Sequence, residues 1–330
     1  MNVRQKTEAF ELQNLSPYAA CSSRTIGRRR VEEPCNFRTE YQRDRDRILH
    51  CNAFKRLKHK TQVFLSPKRD HYRTRLVHSL EVAQIARTAA RGLRLNEDLT
   101  EAIALGHDLG HAPFGHAGEL ALNQICPHFF RHADNSVRVV TELEKEGQGL
   151  NLTAEVIDGI ACHSSGQAKT LEGQLVKVCD KVAYVNHDIE DAIRAGVISY
   201  HDLPYQCVYI LGNTKSKRIT TVIRSLIENS SDSIQMSPEV DSAHQKLRSY
   251  MFEHVYAGTV AQQEEEKAKK IVEMMYTYYR NHIEELPWFY QEIAGKSDID
   301  RAVCDYISGM SDNYIIEQYS DRFIPRRWSD

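Results

Sequence analysis

YRTRLVHSLEVAQIARTAARGLRLNEDLTEAIALGHDLGHAPFGHAGE, residues 72–119, is the stretch whose reading decides the fold. From His78, apolar residues recur at Val82, Ile85, Ala86, Ala89 and Leu93. That is the i, i+4, i+7, i+8 spacing of a helix face turned inward. The spacing predicts that His78 points into the protein, with Arg75 one turn earlier on the same face. A second helix follows, capped by Asn96, with Leu99, Ala102, Ile103 and Gly106 on its inner side. It ends in His107-Asp108, where Gly110, Pro113 and Gly115 forbid a continuing regular helix. Imidazole nitrogen together with carboxylate oxygen suits borderline divalent cations such as Mn, Fe, Co, Ni or Zn. Neighbours on a regular helix diverge by about 100°, so His107 and Asp108 converge on one ion only near a helix end, which the glycines supply. A core histidine satisfied by a backbone carbonyl is the bland alternative, and it accounts for one of these residues better than for the set.

Working outward, the next informative stretch is LEGQLVKVCDKVAYVNHDIEDAIRAG, residues 171–196. Leu175, Val178, Val182, Val185, Ile189 and Ile193 form one core stripe. Val176, Asp180, Tyr184 and Asp188 recur every four residues on roughly the opposite side. Asp180 and Asp188 on a solvated face would be the simple reading. Val176, Cys179, Ala183 and Tyr184 make that side apolar too, so the helix is expected to be buried all round. A buried carboxylate needs a cation or strong hydrogen bonds. Asp180 is therefore the fourth expected metal ligand, beside His78, His107 and Asp108.

The remaining chain reads as helical and, as a whole, all-α. Residues 1–40, with Pro17, Pro34 and Arg28-Arg29-Arg30, form an expected N-terminal arm, extended or partly helical, its arginines read as solvated. Ile48, Phe54 and Leu57 mark a helix that stops near Gln62, and the alternating charges of Arg43 to Arg47 promise only weak surface pairing. GELALNQIC is helical up to Pro127, His132 opens an amphipathic stretch ending at Gly147 and Gly149, and residues 153–162 run as a short helix into His163. Residues 41–200 are taken as the core domain and 201–330 as a C-terminal helical region packed on it. In the latter, helical patterns fall near 216–229, 239–256, 260–286 and 298–319. EEEKAKK (264–270) reads as a solvated face, and Tyr276, Tyr278 and Tyr279 as core or interface packing.

Composition narrows the function classes. With 41% apolar and 27% charged residues, the 330-residue chain has ample core for a globular protein. A formal net charge of −2 lacks the basic footprint of duplex-binding proteins. Eight irregularly spaced cysteines without a CxxC pair fit a reducing cytosol. The N-terminus lacks an apolar leader and no run approaches the ~18 residues of a membrane span, so a cytoplasmic protein with no membrane partner is expected. Neither a GxGxxG nor a P-loop sequence is present.

The longer strings carry a resemblance. H…HD…D, as His78, His107-Asp108 and Asp180, resembles the signature of HD-domain metal-dependent phosphohydrolases. DRDRILHCNAFKRLKHKTQVF, HYRTRLVHSLEVAQIAR, HDLGHAPFGHAGE, LVKVCDKVAYVNHDIEDAIRAG and VCDYISGMSDNY together resemble the deoxyguanosine triphosphate triphosphohydrolase (dGTPase-like) family. The resemblance covers residues 35–200 strongly and returns near 303–314. It implies an HD-domain helical phosphohydrolase fold with an additional C-terminal helical region. The implied reaction is hydrolysis of a deoxynucleoside triphosphate (dNTP) at the α-phosphorus to deoxynucleoside and tripolyphosphate. The implied cofactor is one divalent ion per subunit (Mn²⁺, Mg²⁺, Fe²⁺, Co²⁺, Ni²⁺ or Zn²⁺, with Mn²⁺ favoured).

By motif position the family's catalytic histidine and glutamate fall on His116 and Glu119, whose i, i+3 spacing also allows an imidazole–carboxylate acid/base pair. His111 and His132 fall on positions that approach the phosphates, His111 with a catalytic role, and Arg75 and Lys181 on cations that meet them. Tyr184 falls where a tyrosine packs on the deoxyribose and a 2′-hydroxyl would clash. Asp188 and Gln62 fall where the 3′-hydroxyl is bound. RHADNS stands here where many relatives carry a variant of HNAQS. The resemblance further implies a homo-oligomer, an allosteric nucleotide and a secondary single-stranded nucleic-acid site. The competing readings are an HD-type 5′-deoxynucleotidase acting on monophosphates, a nucleotide-sensing HD binding protein, and a dinuclear HD phosphodiesterase using His163.

Overall fold

The computed structural model describes residues 1–62, 73–256 and 259–325. Val63 and Phe64, His71 and Tyr72, within the strings quoted above, lie outside the described residues. Everything regular among the described residues is helical, and β-structure is limited to two isolated bridges, Arg28 with Thr153 and Thr61 with Thr74. The all-α expectation holds.

The chain falls into two compact units, each assembled from three separate segments. The first unit comprises Met1–His50, His78–His107 and Leu150–Gly258. Its centre is the Glu97–Gly106 helix, capped by the Asn96 side chain on Leu99 N as anticipated. That helix packs on Glu40–His50, Ala154–Cys162 and Leu171–Arg194. The last of these begins where the Thr170 hydroxyl accepts from Gly173 N and is buried on both sides, with Leu175, Val176, Cys179, Val182, Ala183 and Val185 all fully buried. The approach at Gly106 is close: a Cβ there would come within 2.7 Å of Ile160 Cδ1, so the Ile160 side chain would have to shift to admit one. On the Arg75–Leu93 helix, His78, Val82, Ile85, Ala86 and Ala89 are all buried, so the inward face read from the spacing is real.

The N-terminal arm is partly helical, within what its sequence allowed, but the expectation that its arginines are solvated is corrected at Arg28. Residues Val3–Asn14 form a helix, begun by a reciprocal Asn2–Gln5 capping box. Arg28 is not solvated: its guanidinium donates to Glu40 Oε2 (2.6 Å), Asp44 and the Asn151 carbonyl. Asp44 is fully buried and also accepts from Thr153 N (2.9 Å) and Oγ1 (2.6 Å). The charge alternation in DRDR thus hides an internal ion pair, because half of that helix faces the arm.

The second unit comprises Cys51–Val77, Asp108–Gly149 and Thr259–Asp330. The Gly115–Ile125 helix packs on Thr259–Asn281, which in turn holds Ile299–Ser308 and Asp312–Phe323. Ala121, Leu122, Val272, Met275, Tyr279, Ile307 and Ile315 form its core. Tyr276 and Tyr279 are buried there, as core packing requires, and EEEKAKK is solvated apart from Ala268. The single helix expected over 298–319 is two, separated at Gly309–Ser311, where the Ser311 hydroxyl caps the second on Tyr314 N. Helices at Tyr205–Leu211 and Trp288–Lys296 had no clear apolar period and were not anticipated.

Candidate metal centre and catalytic loop

Within the first unit, three of the expected ligands meet. His78 Nε2 lies 3.0 Å from Asp180 Oδ1, and His107 Nε2 lies 3.7 Å from the same oxygen. Ligands about 2.1 Å from a shared ion and 90–110° apart stand about 3.0–3.4 Å from one another. The His78–Asp180 spacing lies in that range and the His107–Asp180 spacing a few tenths of an ångström beyond it, so the cluster could hold a divalent ion after a small adjustment of one side chain. His78 and His107 are buried, while the Asp180 side chain is 23% exposed, less deeply set than the sequence suggested. His107 Nδ1 lies 2.7 Å from the Ala104 carbonyl at its helix end. That bond places the proton on Nδ1 and leaves Nε2 as the donor atom. His163 repeats the pattern against Ile160 O (2.7 Å), its ring edge-on to His107 at 5.1 Å. On the same helix as Asp180, Tyr184 is half-buried and Asp188 is buried, one and two turns on. Lys181 is half-buried, and burial lowers its pKa.

The chain runs straight from His107 to Asp108, the first residue of the second unit's middle segment. Here a second group gathers. Asp108 Oδ2 accepts from Arg75 Nη1 (2.9 Å), and Oδ1 lies 3.4 Å from His111 Nε2. The His111 ring stacks on His132 at 4.0 Å with an 11° tilt. Ligand-type atoms of Asp108, His111 and His132 all lie within 4.8 Å of one another. His111 is buried, and burial together with Arg75 holds its imidazole well below the usual pKa.

Glu119 does not pair with His116. Its carboxylate accepts from His132 N (2.9 Å) and engages His132 Nδ1 at 3.0 and 3.1 Å. Burial alone would raise the Glu119 pKa, but His132 brings it below the ordinary carboxylate value; conversely, Glu119 overcomes the burial of His132 and raises its pKa. His116 is exposed in the first turn of its helix, near enough for its charge to act on Glu119. The i, i+3 spacing pointed to a His116–Glu119 pair; the hydrogen-bond partner of Glu119 is instead a histidine thirteen positions on, which that spacing could not foresee. Gln62 is half-buried, with its Oε1 unpartnered and its carbonyl 3.5 Å from Arg75 Nη2.

The loop between Asp108 and Gly115 is held by residues that motif reading passed over. The fully buried Lys60 ammonium donates to the His111 carbonyl and to Ser308 O (2.8 Å). Asp312 accepts from Phe114 N (2.8 Å), Thr61 N (2.8 Å) and Thr61 Oγ1 (2.6 Å). Asn135 Nδ2 donates to Gly110 O (2.8 Å), and Gly110 N donates to Ser136 Oγ (2.9 Å). A Cβ on Gly110 would sit 2.1 Å from Ser136 N, so only glycine fits. Lys60 and Asp312 lie inside the quoted strings KRLKHKTQ and SDNY, which was the available signal, but nothing in their spacing marks them as loop anchors.

Comparisons with known proteins agree with this chemistry. The sequence matches the HD domain over residues 75–185 and the phosphohydrolase-associated domain over residues 234–321. A deoxyguanosinetriphosphate triphosphohydrolase-like protein of Caldanaerobacter subterraneus subsp. tengcongensis is 54% identical, covering 99% of this chain and 98% of the relative. One of the same description from Desulfatibacillum aliphaticivorans is 46% identical, over 98% and 99%. A phosphohydrolase from Bacteroides thetaiotaomicron shares the fold, with a TM-score of 0.54 at 17% identity over 91% of this chain and 74% of its own. With its His/Asp cluster suited to a divalent metal and near full-length relatives at this identity, the chain belongs to the HD-domain phosphohydrolase family, among its deoxyguanosinetriphosphate triphosphohydrolase-like members.

Proposed function

We propose that this chain is a metal-dependent dNTP triphosphohydrolase acting on dGTP and other dNTPs. Water adds to the α-phosphorus, the bond to the 5′-oxygen breaks, and deoxynucleoside and tripolyphosphate leave. The observation that carries the reading is the convergence of His78 and His107 on Asp180 Oδ1 at 3.0 and 3.7 Å. With Asp108, next in the chain to His107, these make a ligand set of two imidazoles and two carboxylates for one divalent ion, with Mn²⁺ favoured. Bound there, such an ion supplies Lewis-acid polarisation of the phosphate and a more acidic water.

The chain's own residues do the rest. Arg75, His111, His132 and Lys181 offer donors to phosphate oxygens, where charge grows as the ester bond breaks. Glu119 fixes the His132 ring through Nδ1. His116, exposed at the first turn of its helix, is the proposed proton donor to the departing 5′-oxygen. Tyr184 stands for the sugar gate, and Asp188 and Gln62 for the 3′-hydroxyl.

The test is a product assay in Mn²⁺ with dGTP, the other three dNTPs, GTP and dGMP offered separately. Tripolyphosphate and deoxynucleoside from dNTPs, with GTP untouched, are expected. Inorganic phosphate from dGMP alone would refute the reading in favour of a 5′-deoxynucleotidase.

A further inference from the structure

Two of the eight cysteines meet in the core of the second unit. Cys126 ends the Gly115–Ile125 helix and is 5% exposed, and Cys304 lies on the Ile299–Ser308 helix at 1%. The Cys304 thiol donates a hydrogen bond to the Cys126 sulfur. His128 N donates to the same sulfur, and the Tyr276 hydroxyl, which donates to Asp300 Oδ1 (2.8 Å), stands beside it.

A buried free cysteine ordinarily acts as a small apolar side chain whose thiol stays protonated. Cys21, Cys51, Cys179 and Cys207 follow that rule, burial raising the pKa of each. Cys126 departs from it. The hydrogen bond from Cys304 outweighs burial and lowers its pKa, with His128 N and Tyr276 adding to the effect. The same hydrogen bond and burial push the Cys304 thiol up. One sulfur therefore favours the thiolate while its neighbour keeps its proton, the division between an attacking and a resolving thiol. Pro127 and Phe129, just beyond Cys126, are exposed, so a small oxidant has a short path to its sulfur.

The pair also joins two elements that matter for the catalytic loop. The Gly115–Ile125 helix carries His116 and Glu119 near its start. Cys304 precedes Ser308 by one helical turn, and Ser308 O accepts from the Lys60 ammonium that also holds the His111 carbonyl.

We propose that Cys126 and Cys304 form a redox-modification site, at which a peroxide converts the hydrogen-bonded thiols to a disulfide. The Cys126 thiolate attacks one peroxide oxygen, the O–O bond breaks, and Cys126 sulfenic acid and hydroxide form. The Cys304 sulfur then attacks the sulfenic sulfur, the S–O bond breaks and water leaves. The two thiols together lose two electrons and two protons, and hydrogen peroxide becomes two waters. The sulfurs close to about 2.05 Å, which ties the helix carrying His116 and Glu119 covalently to the helix that anchors the loop. In a reducing cytosol such a bond is transient, as a redox sensor requires. The inference does not depend on the dNTP reading.

The experiment treats the reduced full-length protein with hydrogen peroxide, alkylates it with iodoacetamide in urea and maps its peptides without reduction. A linked pair of peptides holding Cys126 and Cys304, released by dithiothreitol, is expected. Cys126 should lose its thiol at least about tenfold faster than Cys51 and Cys179, whose protonated thiols are poor nucleophiles. Cys304→Ser keeps a hydroxyl donor to the Cys126 sulfur but removes the resolving thiol, so peroxide should leave a Cys126 sulfenic acid that dimedone traps. Cys126 and Cys304 both still alkylated after peroxide, or Cys126 linked to another cysteine, overturns the proposal. So does loss of the Cys126 thiol no faster than that of Cys179. Should the serine variant fail to fold, the peptide map of the wild type decides alone.

Discussion

Asp312 lies 198 residues from Phe114 in sequence, yet its carboxylate holds Phe114 N and both the amide and hydroxyl of Thr61. The residue is 3% exposed. Phe114 itself adopts φ +60, a left-handed conformation that costs a non-glycine residue about 1–2 kcal/mol. Asp312→Ala removes the anchor and leaves two amide donors unsatisfied, at about 1–3 kcal/mol each. We take about 4 kcal/mol as the centre of that range. That is a large share of the ~5–15 kcal/mol by which domains are stable. With a urea dependence of about 3 kcal/mol per molar, the unfolding midpoint should fall by roughly 1 M. Asp312→Asn keeps one acceptor but turns an NH₂ group toward the other donors, so about half that loss is expected. Hydrogen exchange gives the local readout: the Phe114 amide should lose protection in both variants, while amides of the Leu171–Arg194 helix keep theirs. Turnover should fall as well, because the loop carrying His111 is no longer fixed. A midpoint shift under about 0.2 M with Phe114 protection unaltered would refute the argument.

Three other expectations are open to direct test. Asp180→Ala takes away the oxygen on which both imidazoles converge, so stoichiometric Mn²⁺ binding measured by calorimetry should be lost together with activity; full metal occupancy with normal turnover would remove Asp180 from the centre. His116→Ala should bind metal normally yet lose turnover by about 10²–10⁴-fold, and a full-rate variant would move the proton donor elsewhere. The buried Glu172 accepts from Ala20 N (3.0 Å) and Asn96 N (2.9 Å) through Oε1, while Oε2 has no partner, and burial raises its pKa to about 7 against an ordinary 4.5. The folded state therefore holds this proton more tightly than the unfolded one. Its contribution is fully present below pH 4.5 and is lost as pH rises through 7, by about 3 kcal/mol in total. Glu172→Gln should flatten the fall in Tm between pH 5 and pH 8, and an unchanged slope would count against the assignment.

Helix faces were legible because burial imposes a period. His78 with Val82, Ile85 and Ala86, and the two-sided burial of the helix carrying Asp180, could be read from spacing, since on one helix residue separation fixes direction. The histidine and aspartate types needed for a divalent ion were likewise present in the sequence at helix positions that local rules define. Asp44 was misread for the opposite reason: DRDR looks like a solvated run until the arm supplies Arg28. The unanticipated Tyr205–Leu211 and Trp288–Lys296 helices are short and stabilised by what they pack on, the Pro238–Met251 and Ile299–Ser308 helices respectively.

The sequence by itself determined the helical class, the inward histidines, the HD turn and the presence of histidines and aspartates that could hold a divalent metal. Only the tertiary structure decided that Glu119 hydrogen-bonds His132 rather than His116, that Lys60 and Asp312 clamp the loop, and that the Cys126 and Cys304 thiols meet. The physical reason is range. Helix periodicity and capping act over about four residues and leave their mark on neighbouring letters. A hydrogen bond between residues 13 or 198 positions apart depends on where the folded backbone brings them, and no local spacing records that.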